Sequence, residues 1–358
     1  MANYEQSQSS ADVVNSLDSS VKVGSISATT AKNIEAILGI NTANTAKEVN
    51  VASSDGTTWT QPAGKAVDMA VVNADGKINI PLDILQTAKA FVFSSTKGVD
   101  VNFNVNPPTA AVGTPVVQDR VIVGSAGNDN FVVQDNSNST IDGGQGNDTV
   151  IAAGGNDSVT AGQGNDSVNA GSGFDTLNMV GKDYGIVVQN GQLVINSKVN
   201  STTEKTTTVA KNVEFITFGD NNTTAFGDNN TTGIAVVANE QEAQAQRLYK
   251  AIFNRDADRD GSQYWSEQVK NGFDLHSIAQ CFIESPESQS MGQLTDEQFV
   301  EKLYNNALGR PSDAQGKAYW LDQLATGALD RASVALCFVG SSEGQSTIDN
   351  VIIVSGNV

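Results

Sequence analysis

Residues 143–178 read GGQGNDTVI, AAGGNDSVT, AGQGNDSVN and AGSGFDTLN, one phrase returning every nine residues. The spacing puts Asp148, Asp157, Asp166 and Asp175 nine apart. A degenerate copy, GSAGNDNFV, opens at Gly124 and carries Asp129. Between them lies QDNSNSTID from Gln134, after Val133 as a one-residue insertion, with Ser139 where the aspartate would stand. Self-similarity at a short fixed period is the signature of a solenoid, in which each unit stacks on the last.

Each slot of the phrase has a physical reason. Glycine in the fourth slot, at Gly127, Gly146, Gly155, Gly164 and Gly173, permits positive φ and a tight turn, and the sixth-slot aspartate sets a carboxylate on that turn. The eighth slot holds Phe131, Ile141, Val150, Val159, Val168 and Leu177. In a chain that is 39% hydrophobic, six apolar residues in six has a chance probability of about 0.4%, so this slot is the inward face of a short strand. A flexible glycine-rich linker would leave that slot unexplained. Stacked turns also stack their carboxylates, which repel. A hard cation between turns relieves the repulsion, and a ligand set of carboxylates and backbone carbonyls suits calcium best.

The phrase resembles the RTX nonapeptide repeat, GGxGxDxUx, over residues 124–178. The resemblance implies a right-handed parallel β-roll, two nonapeptides per turn, that folds when Ca2+ fills sites built from the aspartates and turn carbonyls. It places Asp148 and Asp166 on one edge with Asp129 below them, and Asp157 and Asp175 on the other. Ala152, Ala161 and Ala170 in the first slot, Ala153 in the second and Ser139 in the sixth depart from the pattern, implying weaker or empty sites at those turns.

At 358 residues the chain has room for several domains. Its 21 basic and 40 acidic residues give a formal charge of −19, which argues against nucleic acid or an anionic membrane surface as a direct partner. Bound calcium, at four to six ions, would offset on the order of 8 to 12 of those charges. MANYEQSQSS has neither the basic region nor the apolar run of a cleaved secretory signal, and no stretch is long enough for membrane insertion. Composition alone suggests a cytoplasmic protein. The resemblance implies instead export from a Gram-negative bacterium by the type I secretion machinery, to the extracellular space or cell surface, with an uncleaved C-terminal signal. The ending STIDNVIIVSGNV and the scarcity of cysteine are compatible with that route.

The expected architecture is mainly β followed by α. Residues 1–27 read as a mobile arm, with Val21, Val23 and Ile26 as a possible short strand. Residues 28–115 read as a small antiparallel β domain, with a helix from Thr29 through Ile34, Ile37 and Leu38 to Gly39 and a hairpin at Asp75-Gly76. The β-roll spans 116–180. A β cap spans 181–238, with a hairpin at Asn190-Gly191 and a closing strand in NVEFITFGD from Asn212. The tandem GDNNTTAF and GDNNTTGI set Asp220 and Asp228 in matching places, as a turn-rich cap or one more calcium site. Residues 239–345 form a helical repeat domain, and 346–358 a tail that could carry the secretion signal.

In that helical region RLYKAIFNRDADRDGSQYW, from Arg247, aligns without gaps on KLYNNALGRPSDAQGKAYW, from Lys302. The pair resembles a helical domain of unknown function that recurs in type I secreted surface proteins, S-layer proteins among them, and implies attachment to cell-surface polysaccharide. Arg255 and Arg310 are expected to brace their loops through Asp258 and Asp313. Tyr264-Trp265 and Tyr319-Trp320 are expected to fill the inter-helix core, with sugar stacking as the alternative for exposed rings. Asp256, Asp258, Asp260, Gly261 and Glu267 satisfy the EF-hand loop pattern, so a calcium site there stands beside a plainer reading as surface acids. Cys281 and Cys337 occupy matching places, as two buried thiols or a disulfide.

The chain is not expected to be an enzyme. Its single histidine, His276, and the absence of HExxH exclude the usual zinc protease. Gly340-Ser341-Ser342-Glu343-Gly344 matches G-x-S-x-G, but a hydrolase elbow needs its histidine downstream. The reading is a calcium-folded structural or adhesive protein of the S-layer or biofilm-matrix kind that assembles with itself after secretion. The alternatives are a monomeric glycan-binding adhesin and a secreted glycan-active enzyme with two convergent carboxylates.

Overall fold

The computed structural model describes residues 7–22, 26–41, 47–104, 119–181, 184–197, 206–219 and 233–355. It divides into two units, Met1–Asp228 with Val358, and Asn229–Asn357.

In the first unit the chain winds between two sheets. One is built from Val51–Ser54, Met69–Asn73, Ala90–Ser94, Arg120–Val123, Ser139–Asp142, Ser158–Thr160, Thr176–Val180 and Phe215–Gly219, each parallel to the next. The other stacks Gly76–Ile78, Val99–Phe103, Asn130–Val133, Thr149–Ile151, Asn165–Asn169 and Thr207–Lys211, also in parallel. The eighth-slot residues are in register: Ile141, Val159 and Leu177 stack in the first sheet, Phe131, Val150 and Val168 in the second. All six are 2% exposed or less, which makes them the core between the sheets.

The small antiparallel domain expected at 28–115 does not form. Its strands at Met69–Asn73, Gly76–Ile78, Ala90–Ser94 and Val99–Phe103 are earlier coils of the same roll. Asp75-Gly76 is a coil corner, with Gly76 at φ 77°, that carries the chain from one sheet to the other. The turn chemistry is the same as in a hairpin, and the pairing partner is chosen by neighbouring coils that cover both strands. These coils enclose Phe91, Phe93, Phe103 and Phe131, with ring centroids 5.1 to 6.3 Å apart.

Residues 10–22, expected in a mobile arm, are helical and include Val21, while Val23 of the strand considered there lies outside the described residues. SADVVNSLDSSVK sets Val13, Val14, Leu17 and Val21 on one stripe of the helix Ser10–Lys22. The helix foreseen near Thr29 spans Ala28–Leu38, capped by Ser27 and ended by Gly39 at φ 60°. Both helices pack on the outer face of the first sheet, against Val51, Met69, Ala90, Val121 and Val123. Those strands are therefore largely buried on both faces and mostly apolar. Thr30 ties the second helix to the roll by donating its hydroxyl proton to Asp142.

After the repeats, Tyr184–Gln189 and Gln192–Ser197 form the hairpin expected at Asn190-Gly191, with both turn residues at positive φ. Its second strand pairs antiparallel with Thr207–Lys211, from Leu193 against Ala210 to Asn196 against Thr207, and so joins the second sheet.

The second unit holds the helical repeat. Glu240–Leu248, the π-helical Tyr249–Phe253, Arg259–Lys270 and Leu275–Glu284 correspond to Asp296–Leu308, Ala314–Thr326 and Arg331–Gly340. The shared signature has a common use. Asp258 and Asp313 cap the helices that follow, accepting from the Gly261 and Gly316 amides at 2.8 Å each. A Cβ on either glycine would lie 2.0 or 2.2 Å from the hydroxyl of Tyr249 or Tyr304. Arg255 and Arg310 stack over those tyrosine rings, 4.8 and 5.1 Å from their centroids. Each also pairs with its cap aspartate and with Glu287 or Glu343. Trp265 and Trp320 pack on the core as expected, whereas Tyr264 and Tyr319 are 53% and 54% exposed. Cys281 and Cys337 are free and exposed, because each lies one position off the buried stripe of its helix. The apolar tail cluster is folded: Val351–Ile353 pairs in parallel with Gly233–Val237. Among the described residues no helix is long and apolar enough to cross a membrane.

Candidate metal centre

Pairing register fixes where each repeat aspartate lies. Asn130 pairs with Thr149 and Thr149 with Ser167, so the preceding residues Asp129, Asp148 and Asp166 form one column on one edge of the roll. On the other edge Asp157 and Asp175 form a second column, which continues to Glu214 because Thr176 pairs with Phe215. Successive members are one strand spacing apart, about 4.8 Å.

Each carboxylate is held the same way. Asp148 Oδ1 accepts from the Asp129 amide at 2.8 Å, and Asp166 Oδ1 from the Asp148 amide at 3.0 Å. Across the roll Asp157 Oδ1 accepts from Ser139 N at 2.6 Å, Asp175 Oδ1 from Asp157 N at 2.7 Å, and Glu214 Oε2 from Asp175 N at 2.8 Å. The ladder fixes one oxygen of each acid. The other, Oδ2 of Asp148, Asp157 and Asp166, is buried with no hydrogen-bond partner. Buried acceptors of this kind are rarely left unsatisfied, and a charged one is more demanding still.

Burial acts on the protons accordingly. Desolvation, reinforced by the neighbouring column members, pushes Asp148 and Asp157 up to about 8, and desolvation alone lifts Asp166 to about 6. Asp148, Asp157 and Asp166 must each take a proton or a cation. Asp129 differs, since it accepts from Ser125 N at 2.6 Å, Ser125 Oγ at 2.8 Å and Val99 N at 2.8 Å. The protein itself satisfies that end of the first column.

The fourth-slot glycines give the turns their shape. Gly146, Gly155, Gly164 and Gly173 have φ between 105° and 143°, and a Cβ on Gly164 would lie 1.8 Å from the Gly146 carbonyl oxygen one coil earlier. The backbones of successive turns thus stack closely enough that only glycine fits in this slot. Among the described residues no group of three or more His, Cys, Asp or Glu side chains converges on one point. A cation here would be held by two carboxylates of one column and by turn carbonyls, an all-oxygen set that fits calcium. The first-slot residues Ala152, Ala161 and Ala170 are buried with the core, and Ala153 is strained at φ 66°.

Two parts of this site escaped the sequence reading. Glu214 extends the second column without belonging to the nine-residue period. The fifth-slot asparagines form a ladder parallel to the aspartates: Asn128, Asn147 and Asn165 each accept through Oδ1 from the fifth-slot amide of the next coil, or from Thr207, at 2.8 to 3.0 Å. Asn138 and Asn156 do the same on the other edge at 2.7 and 2.9 Å. The recurrence of Asn before Asp in the repeat was the available signal.

The EF-hand pattern is not assembled into a loop. Asp258 is a helix cap paired with Arg255, and Asp256 accepts from Asn350 at 3.0 Å. Asp260 lies beside Arg259, and Glu267 accepts from Gln263 within the helix Arg259–Lys270. Helix formation from Arg259 onward separates Glu267 from the acids that an EF-hand loop would wrap around one ion. Asp220 and Asp228 lie outside the described residues. His276 pairs on the surface with Asp330 at 2.7 Å, and Ser341 caps the helix Ser342–Thr347, so neither faces the other in a hydrolase arrangement.

No curated protein and no solved structure gives a significant match to this chain. Family models match at two places. Residues 237–291 and 279–348 match a domain of unknown function, DUF4214. Residues 137–177 match the RTX calcium-binding nonapeptide repeat, whose bearers are typically secreted and structural. The chain therefore carries RTX calcium-binding nonapeptide repeats and, C-terminal to them, a DUF4214 region.

Proposed function

We propose that this chain is an extracellular structural or adhesive protein whose roll completes its folding on calcium after type I secretion, and which then assembles with itself on the cell surface or in a matrix of the S-layer or biofilm kind. The observation that carries the calcium-dependent part is the pair of buried carboxylate columns, in which Oδ2 of Asp148, Asp157 and Asp166 has no hydrogen-bond partner. Extracellular modules bind calcium with dissociation constants of roughly 0.1 to 1 mM, so the columns would fill only after export. The secretion signal belongs to the C-terminal tail in this reading. Self-association is assigned to the N-terminal end of the roll, where the short edge strand Trp59–Thr60 ends the first sheet.

A second reading, a monomeric glycan-binding adhesin, is favoured by Tyr264 and Tyr319, exposed at matching places in the two helical copies. Light scattering with circular dichroism, titrating from EGTA to about 10 mM calcium, separates the two. Gain of β signal with growth into large EGTA-reversible particles supports assembly. Gain of β signal at monomer mass favours the adhesin, and no response refutes the calcium reading.

A further inference from the structure

We propose that the Arg120 guanidinium is a built-in cation that takes the place of calcium at the start of the second carboxylate column. The inference rests on the calcium reading of the columns. Arg120 pairs with Ser139 across the parallel sheet, and the Ser139 amide donates to Asp157 in the next coil. The second column therefore reads Arg120, Ser139, Asp157, Asp175, Glu214 from one end to the other. Ser139 marks the one unit of the repeat that lacks a sixth-slot carboxylate.

That turn is filled differently from the rest. Arg120 Nη2 donates to Asp135 Oδ1 and Oδ2 at 2.8 and 2.7 Å and to Ser137 Oγ at 2.7 Å. The arginine and aspartate side chains are each 3% exposed. Asp135 and Ser137 occupy the second and fourth slots, where the later turns on this edge have Ala153 and Gly155, then Gly171 and Gly173. Three changes thus coincide in one turn: the carboxylate moves from slot six to slot two, a serine hydroxyl replaces the slot-four glycine, and a cation rises from the strand beneath. The resulting pair is neutral. A guanidinium keeps its charge at every physiological pH, whatever the calcium concentration. A calcium ion entering here would meet a positive charge already seated and one carboxylate already used.

The first column begins in a similar way, with Asp129 satisfied by Ser125 and Val99. Both columns therefore start on a coil that needs no metal. The coils below it are also the ones with the phenylalanine cluster and the covering helices, whereas above it the units at 152–169 have one large apolar residue per nine. The N-terminal coils then fold without calcium and offer a finished sheet edge at Arg120–Val123 and Asn130–Val133, on which the calcium-dependent coils are laid one at a time.

Hydrogen exchange with mass spectrometry on the full chain, in EGTA and in about 10 mM calcium, tests this. In EGTA, Ala90–Ser94, Val99–Phe103 and Arg120–Val123 are expected to be protected on the order of 100-fold or more over an unfolded chain, and the strands from Thr149 to Val180 only in calcium. Arg120→Gln is expected to abolish the EGTA protection at Arg120–Val123, and Arg120→Ser combined with Ser139→Asp to bind one further calcium ion. If residues 90–123 need calcium as the repeats do, if Arg120→Gln keeps its protection, or if the double variant gains no calcium, the proposal is overturned while the calcium reading stands. If residues 149–180 are equally protected in EGTA, the calcium reading falls and takes this inference with it.

Discussion

Replacing Asp148 by asparagine should move the stability of the roll in opposite directions with and without calcium. Oδ1 of Asp148 keeps the Asp129 amide, a role the asparagine oxygen can fill, while Oδ2 is buried without a partner. Without calcium, burial lifts this carboxyl from the ordinary 3.8 to about 8. At pH 7 the unfolded chain is ionised there and the folded chain is protonated, so folding must take up a proton. At about 1.4 kcal/mol per pH unit from 3.8 to pH 7, that uptake opposes folding by at most about 4 kcal/mol. Asp148→Asn removes it, less roughly 1 to 3 kcal/mol for a buried amide N–H that finds no acceptor. In EGTA the variant should therefore be more stable by about 1 to 3 kcal/mol. In calcium the change removes a ligand from the pair with Asp166, and the calcium midpoint should rise about tenfold or more, ~1.4 kcal/mol or more at that site. Urea denaturation followed by circular dichroism, in EGTA and across a calcium series, gives both numbers. Destabilisation of similar size in both conditions, or an unchanged calcium midpoint, would refute the reasoning.

The same protons set a pH dependence. Asp148 and Asp157, raised to about 8, and Asp166, raised to about 6, bind more protons in the folded calcium-free roll than in the unfolded chain, so its stability should fall as pH rises from about 4 to 8. Calcium displaces those protons, so the calcium midpoint should drop between pH 6 and 8, with proton release seen by calorimetry in buffers of different ionisation enthalpy; a flat midpoint would contradict it. Ala153→Gly relieves the strain at φ 66° and should raise the urea midpoint by the equivalent of about 1 kcal/mol, whereas a loss of stability would show the turn does not need a glycine. Gly164→Ala brings a Cβ within 1.8 Å of the Gly146 carbonyl and should abolish the calcium-induced β signal of the repeat, which a normal titration would disprove. In the helical unit, Arg255→Lys loses both the ring stacking and the fork onto Glu287 and should cost about 1 to 2 kcal/mol. Glu267→Gln should leave calcium stoichiometry unchanged, and the loss of one ion would reinstate an EF-hand site there.

What the sequence made legible follows its regularity. A constant spacing of nine was enough to place the apolar slot inside and explain the turn glycines, and the RTX resemblance it carried implied the two columns of aspartates. The earlier coils were hidden because their offsets vary: Ala70 pairs with Phe91 and Phe91 with Ile122, 21 and then 31 residues apart. Without a fixed period, Asp75-Gly76 reads as a hairpin, since corner and hairpin ask the same of a glycine. Glu214 follows Asp175 by 39 residues, with the hairpin of the second sheet between them, so only the register reveals it. The helix Ser10–Lys22 was masked by its serines and aspartates, which face solvent while Val13, Val14, Leu17 and Val21 hold the sheet. Arg120 and Asp135 look like ordinary surface charges until the fold buries them together.

The central claim is that calcium occupies the two carboxylate columns and completes the roll. Isothermal calorimetry of the full chain, titrated with calcium at pH 7 and paired with far-ultraviolet circular dichroism of the same samples, tests it most directly. Saturable uptake of about three ions per chain, one for each successive carboxylate pair beyond Asp129, is expected together with a gain of β signal that EGTA reverses. A chain with the same β content in EGTA as in calcium, and no heat of binding, would contradict it.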